Sequence, residues 1–387
     1  MSDNVVKLKM TPRGAILKRI ILFVVLTLAA LGVIALYVFR DELNLSGFVR
    51  RVRNLGISEA EQSVGFTFDA GNANQYASFG GGLAVGSVTG FASYDKDGEQ
   101  TALLQVPIGT PQLAVGENNA LFFDAGGYSL RMLSKKGNVL LEQETEKPIY
   151  DADISEKDWV CCAASEPGYK TVLYLYNPDG ALCYRWFSSS QYLPVCSASP
   201  DGKRLAAVGL GQKDGEFVSS VSVFSSGSTD SAEQIIPVGN ELIYDLHFMS
   251  EDVVCAVGEN TARFFPINGA MSCYDYSSCR LEDYSMEGSG FLALVLNKYQ
   301  AGSRYTIASV AADGTLLGEA ECDKQILSCK AKGGYVAVLT ASELILYDKE
   351  MNVFAQTDNT MGASDVVLRE NGSAILLGNG QGKLFVP

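Results

Sequence analysis

The chain has 387 residues, 47% hydrophobic and 19% charged, too apolar for a disordered polypeptide and long enough for a large folded body. Its charge is split: residues 1–59 hold nine Lys/Arg against four Asp/Glu, and residues 60–387 hold 21 against 40, giving −14 in total. An acidic body repels phosphate backbones, so no nucleic acid is expected as a partner.

Residues 1–18 form a basic tail. The run "RIILFVVLTLAALGVIALYVFR" (19–40) holds 20 uncharged residues between Arg19 and Arg40. As a helix rising about 1.5 Å per residue, such a run matches the roughly 30 Å hydrocarbon core of a bilayer. A cleaved secretory signal has a shorter apolar core, about 7–15 residues, and small residues at its cleavage site. Here the only small-x-small spacing is Ala30-Leu31-Gly32, in mid-run. An uncleaved single-pass anchor is therefore expected.

Lys7, Lys9, Arg13, Lys18 and Arg19 precede the span, and Arg40, Arg50, Arg51 and Arg53 follow it beside Asp41 and Glu42. The excess of basic residues on the amino side favours a cytoplasmic N-terminus and a body outside the cell membrane. Residues 41–60 form a juxtamembrane stem. Leu45, Phe48, Val49 and Val52 fall at helical spacing on one face and Arg50, Arg51 and Arg53 elsewhere. The stem thus reads as an amphipathic spacer or as an interfacial helix.

The region 61–387 changes character. Strands of about five to eight residues alternate with Gly, Asp, Asn and Ser, and no long 3.6-residue period appears. One phrase recurs: "YDKDGE" (94–99), "LSKKGN" (133–138), "YNPDGA" (176–181), "FPINGA" (265–270) and "VAADGT" (310–315). Its glycines, with Gly227 added, are Gly98, Gly137, Gly180, Gly227, Gly269 and Gly314, at intervals of 39, 43, 47, 42 and 45 residues. Glu350-Met351 occupies the next equivalent turn. A period near 40–45 with four strands per unit marks a β-propeller blade. Asp-Gly and Asn-Gly suit the hairpin between a third and a fourth strand, because glycine accepts positive φ without a Cβ clash.

The fold expected is all-β: a propeller of eight four-stranded blades, with units beginning near 74, 111, 149, 192, 243, 281, 325 and 363. Seven blades is the alternative, because 300–330 divides less regularly. The last unit holds three strands, and one strand (62–71) is spare at the front. The spare strand is expected to complete the last blade by pairing 63–69 with 382–386. It would cover an open edge and close the ring.

With anchor, stem and repeat together, the chain resembles bacterial single-pass membrane proteins of unknown function that carry a WD40-like or quinoprotein-like propeller. The resemblance rests on architecture. No blade has a Trp-Asp ending or a Gly-His start, and Trp159 and Trp186 are the only tryptophans. It implies a fold and a membrane address, and no catalytic residue.

The chemistry-bearing residues point the same way. A single histidine and nine cysteines without a CxxC pair give no metal-ligand pattern. Most of the cysteines lie in apolar runs such as "WVCCAAS" (159–165) and read as small buried hydrophobes. Cys273 and Cys279 are the nearest candidates for a disulfide. "DKDG" lacks the closing glutamate of a calcium loop, and "GGG" (80–82) lacks the Lys-Ser/Thr of a phosphate loop, so both read as turns. No cofactor is expected.

The one histidine, His247, shares a strand face with Asp245 in "IYDLHFMS", placing a polar pair in the central channel. A degenerate enzyme using that channel is the alternative to a non-catalytic binding or scaffold module. A purely structural spacer in a membrane assembly is another. The binding candidates lie on three long loops that join second to third strands, 164–170, 210–217 and 297–304. They carry Tyr169, Lys170, Lys213, Phe217, Lys298, Tyr299 and Arg304, aromatic and basic residues on one face of an acidic body. A protein or cell-envelope polymer is the expected partner.

Overall fold

The computed structural model describes residues 64–228, 232–298 and 304–387. The tail, anchor and stem (1–60) and Tyr299 lie outside the described residues, as does the side chain of Lys213.

The described residues form eight separate four-stranded antiparallel sheets. Blades 1 to 7 span 75–105, 111–144, 149–188, 192–239, 243–275, 280–322 and 326–357, each in simple meander order. Each inner strand touches the inner strand of the next blade, and the inner strand of blade 8, Asp365–Leu368, returns to that of blade 1, Gln75–Phe79, so the ring closes. Blade 8 is completed by the front of the body: Gly65, Phe66 and Thr67 pair with Lys383, Gly382 and Gln381. The closure and the count of eight are as the repeat predicts.

Each middle strand is sandwiched between neighbouring blades, so both its faces are buried. This is why these strands read as unbroken apolar runs. Phe291–Asn297 (FLALVLN) is buried at every position, and Gly82–Ser87 likewise. Cys161, Cys162 and Cys255 lie in such strands and are fully enclosed. The core is divided accordingly. Eight apolar clusters form, one in each wedge between blades, as with Leu121, Met132, Ile154 and Val172 between blades 2 and 3. Cys273 and Cys279 are free, as are the other seven cysteines.

The recurring phrase has two physical causes. Its second residue caps the turn: Asp95 Oδ1 accepts from the backbone N–H groups of Asp97 and Glu99, and Asn177 Oδ1 accepts from those of Asp179 and Ala181. Its glycine takes φ of +83° at Gly98, +78° at Gly137, +85° at Gly180 and +82° at Gly314. The same glycine also meets the outer strand of the preceding blade. A Cβ on Gly180 would lie 2.3 Å from Leu140 O, and one on Gly137 would lie 2.6 Å from the Ala102 Cβ. The turn is therefore a point where adjacent blades touch.

Blade 7 reaches the same contact differently. Its turn residue, Met351, takes φ +62° without being glycine. The glycine sits opposite, at Gly318 on the outer strand of blade 6, where a Cβ would lie 2.1 Å from Glu350 O. Gly227 and Gly269, grouped with the others by sequence, do not take positive φ.

Candidate functional site

A meander fixes which loops share a face. The connections between blades and the loops joining second to third strands lie on one side, here the upper face. The remaining turns lie on the other. All five exposed aromatic side chains among the described residues, Tyr128, Tyr169, Tyr192, Phe217 and Tyr244, are on the upper face. The turns joining first to second strands, below, are made of residues such as Gly80-Gly81, Glu156-Lys157 and Glu251-Asp252, with Lys157 Nζ bound to Glu251 at 2.8 Å.

Two of the three loops read from sequence are not loops. Strands Arg204–Lys213 and Glu216–Ser225 pair along their whole length and are joined by Asp214-Gly215 alone, at φ +55° and +85°. Two successive left-handed residues make the tight hairpin turn that matches strand twist. The segment 210–217 is thus the tip of a hairpin arm that carries Phe217. Similarly, Pro167-Gly168 alone separates Val160–Glu166 from Tyr169–Tyr176.

The sequence candidates fall into two groups. The Tyr169 ring packs against Phe187 at a tilt of 40°, with ring centroids 4.7 Å apart. Lys170 Nζ donates to Ser190 O at 2.8 Å and lies 5.3 Å from the centre of the Tyr192 ring. Arg185 lies over Phe187 at 5.0 Å. These residues form one aromatic and basic cluster on blades 3 and 4, with Phe217 on the blade 4 arm. Lys298 and Arg304 belong to blade 6, and Arg304 binds Glu321 at 2.9 Å, on its own blade's outer strand.

Inside the ring, Asp151, Asp153, Asp245, His247, Tyr284, Glu287 and Lys330 line one cavity of about 290 Å³. Asp245 and His247 both face it, but their contacts run to other blades. His247 Nδ1 is 3.3 Å from Asp153 Oδ2, which also accepts from Ser197 Oγ at 2.7 Å. Asp245 accepts from Leu246 N at 2.7 Å and from the Tyr284 hydroxyl at 3.3 Å.

Similar contacts run around the ring. Asp151 accepts from Cys196 N at 3.0 Å, Asp283 from Cys329 N at 3.0 Å, and Asp365 from Ser328 Oγ at 2.6 Å. These side chains clasp blades 3 to 8 at their inner strands. A bulge or irregularity precedes the clasping residue in blades 3, 5, 6 and 7.

The carboxylates are electrostatically distinct. Burial, then the nearby charges of Asp245 and Asp153, lifts Asp151 to about 7. Burial and Asp153 lift Asp245 to about 6. Burial opposes charge on His247, but the hydrogen bond to Asp153 and the surrounding carboxylates outweigh it and raise its pKa. Glu287 is held below its ordinary value against burial by Lys332, 2.9 Å away.

Sequence reasoning missed Asp151, Asp153, Asp283, Tyr192 and the exposed Leu242, yet a signal exists. The tripeptide Ile-Tyr-Asp occurs at 149–151 and again at 243–245, the same register of blades 3 and 5. Leu-Glu-Asp (281–283) and Ile-Leu-Ser (326–328) repeat its pattern.

The profile of a family described as "Family of unknown function (DUF5711)" matches residues 57–379. The chain belongs to that family. Among solved structures it is similar to the C-terminal WD40 domain of Sif2, at 14% identity and a TM-score of 0.58, covering 84% of this chain and 97% of that one. It is also similar to the Dos1 propeller, at 10% identity and a TM-score of 0.55, covering 84% and 95%. At these identities the likeness concerns the fold alone. No curated protein matches the sequence.

Proposed function

We propose that this DUF5711 propeller is a non-catalytic binding or scaffold module, anchored by residues 19–40, with its body outside the cell membrane and its upper face turned to a protein or envelope polymer. The observation that carries the reading is the asymmetry of the faces: all five exposed aromatics, among the described residues, lie on one of them. Exposed aromatic side chains are costly to leave in water and are characteristic of interface centres. A photo-crosslinking residue at Phe217 or Tyr244 in cells should capture a partner, and one at Lys157 below should not. Capture from Lys157 alone would reverse the assignment of the face. Protease shaving of intact cells tests the address: removal of the body supports an outside location, and protection until lysis places it in the cytoplasm.

A catalytic channel is the second reading, favoured by the His247–Asp153 contact. Ser197, which shares Asp153 with His247 in the hydrogen-bond network, donates to Asp153 and not to the imidazole, so Ser197 and His247 do not form a nucleophile–base pair. A folded His247→Ala protein that keeps partner capture supports the binding module. One that folds and loses all biological activity favours the channel.

A further inference from the structure

Asp151 and Asp245 stand apart from the other acids of the cavity: Glu287 has Lys332, and Asp153 has His247. Asp283, outside that cavity, lies beside Lys330. Asp151 and Asp245 accept hydrogen bonds from backbone and hydroxyl groups, and neither makes an ion pair among the described residues. Both sit three residues into their strands from the upper face, directly after Tyr150 and Tyr244.

The aromatic rim is already used for cations. Lys170 lies over Tyr192 and Arg185 over Phe187, so rings of this face hold positive groups on their π surfaces. Tyr244, at 44% exposure, and Phe217, at 38%, present large apolar area nearby on blades 5 and 4. The whole chain carries −14, so a cationic partner is attracted to it and an anionic polymer repelled.

We propose that the upper face docks a basic peptide segment of a protein partner, with a Lys or Arg side chain entering the channel mouth towards Asp151 and Asp245. This rests on the binding-module reading and names the partner's chemistry. A small amine would fill the channel mouth but leave Tyr169, Phe217 and Leu242 uncovered. An extended peptide reaches both.

The test uses the full-length protein in detergent micelles at pH 8, where Asp151 and Asp245 are both ionised, and at about 0.15 M salt, where surface attraction is screened beyond about 8 Å. A fluorescein-labelled peptide alternating Arg and Gly is titrated by anisotropy against its citrulline counterpart, which keeps the shape and loses the charge. The Arg peptide should bind about tenfold or more tightly than the citrulline one, the scale of a single charge contact. The pair Asp151→Asn and Asp245→Asn should abolish that difference, since each Asn keeps an acceptor for its clasp. Asp97→Asn with Asp179→Asn, on exposed outer turns, removes equal charge and should leave it intact. Tyr244→Ala should weaken the Arg peptide several-fold.

Equal binding of both peptides, or binding unchanged in the Asp151/Asp245 variant, overturns the proposal. So does N-acetyl argininamide binding as tightly as the peptide, which would mark a pocket for a small cation. If crosslinking at Tyr244 captures a partner while the Asp151/Asp245 variant still captures it, the binding module stands and the cation is refuted. If capture fails while charge-dependent peptide binding holds, the cation preference stands without that partner.

Discussion

Asp151 and Asp245 occupy the same register of blades 3 and 5, and each is held by the protein with its proton bound more tightly than in an unfolded chain. A carboxyl raised in this way favours the folded state fully below about pH 4. That contribution is lost as pH rises through about 7 for Asp151 and about 6 for Asp245. His247 is also raised, so its contribution is present below about 6.5 and is lost above it. Carboxyls with lowered values act in the opposite sense, but Asp201, at about 2, is still ionised at pH 5. The body 58–387 should therefore melt higher at pH 5 than at pH 8. The difference should be about 10 °C, for about 4 kcal/mol at roughly 2–4 °C each. Asp151→Asn with Asp245→Asn should remove most of it, and thermal melts at the two pH values read the outcome. A wild-type body equally stable at both would contradict this account of the channel. In the sequence only one of these carboxylates carries a signal of its own: Asp245 lies two residues before the single histidine, on the same strand face. Asp151 and Asp283 have no such neighbour, and their role depends on strands some 45 residues away, Cys196 and Cys329.

At the scale of the element, hairpins do two jobs that the sequence pattern alone does not separate. The glycine positions distinguish backbone strain from crowding. Gly215, at φ +85°, has nothing within 4 Å of a Cβ, so Gly215→Ala should cost only the left-handed strain, about 1–2 kcal/mol. Gly318 has no positive φ, but a Cβ there would overlap Glu350 O, so Gly318→Ala should cost about 1–3 kcal/mol through displaced backbone alone. Gly180 combines both terms and should be the most costly of the three in urea unfolding. A Gly180→Ala no worse than Gly215→Ala would refute the interblade contact. The strands and most turn glycines were legible because each blade repeats one hairpin chemistry. The arm reads as a loop in the sequence because its end, Gln212 to Phe217, carries loop-like residues, whereas its pairing is continued by the backbone. Deleting 212–217 and closing the strands with Asn-Gly should leave the melting temperature within about 2 °C, since these residues lie beyond the packed core. It should sharply reduce partner capture from Tyr244 if the arm belongs to the docking face. Undiminished capture would confine docking to the inner-strand rim.

The ring as a whole depends on a strand supplied from the far end of the chain. Without 65–67, blade 8 would present the unpaired edge of Gln381–Phe385, and the wedge between blades 8 and 1 would lose two buried aromatics. Phe66 is 1% exposed and packs edge-on against Tyr94 of blade 1 at 6.2 Å; Phe68 is 8% exposed and lies 5.3 Å from Tyr76. Gly98, the turn glycine of blade 1, abuts Gly65 itself, so the interblade contact made by other turns is made here by the closing strand. This much was readable from the count of strands and from the alternation of Val64, Phe66 and Phe68. The contact through Gly98 was not, because it joins residues on different blades. Burying two aromatics and forming several ladder hydrogen bonds contributes about 5 kcal/mol or more. A body beginning at residue 71 should accordingly melt more than about 10 °C below one beginning at residue 58, at roughly 2–4 °C per kcal/mol. Phe66→Ala with Phe68→Ala, which keeps the backbone pairing, should fall between the two. If the three proteins melted together, the ring would be held by its seven other wedges alone, and the front strand would be a bystander to closure.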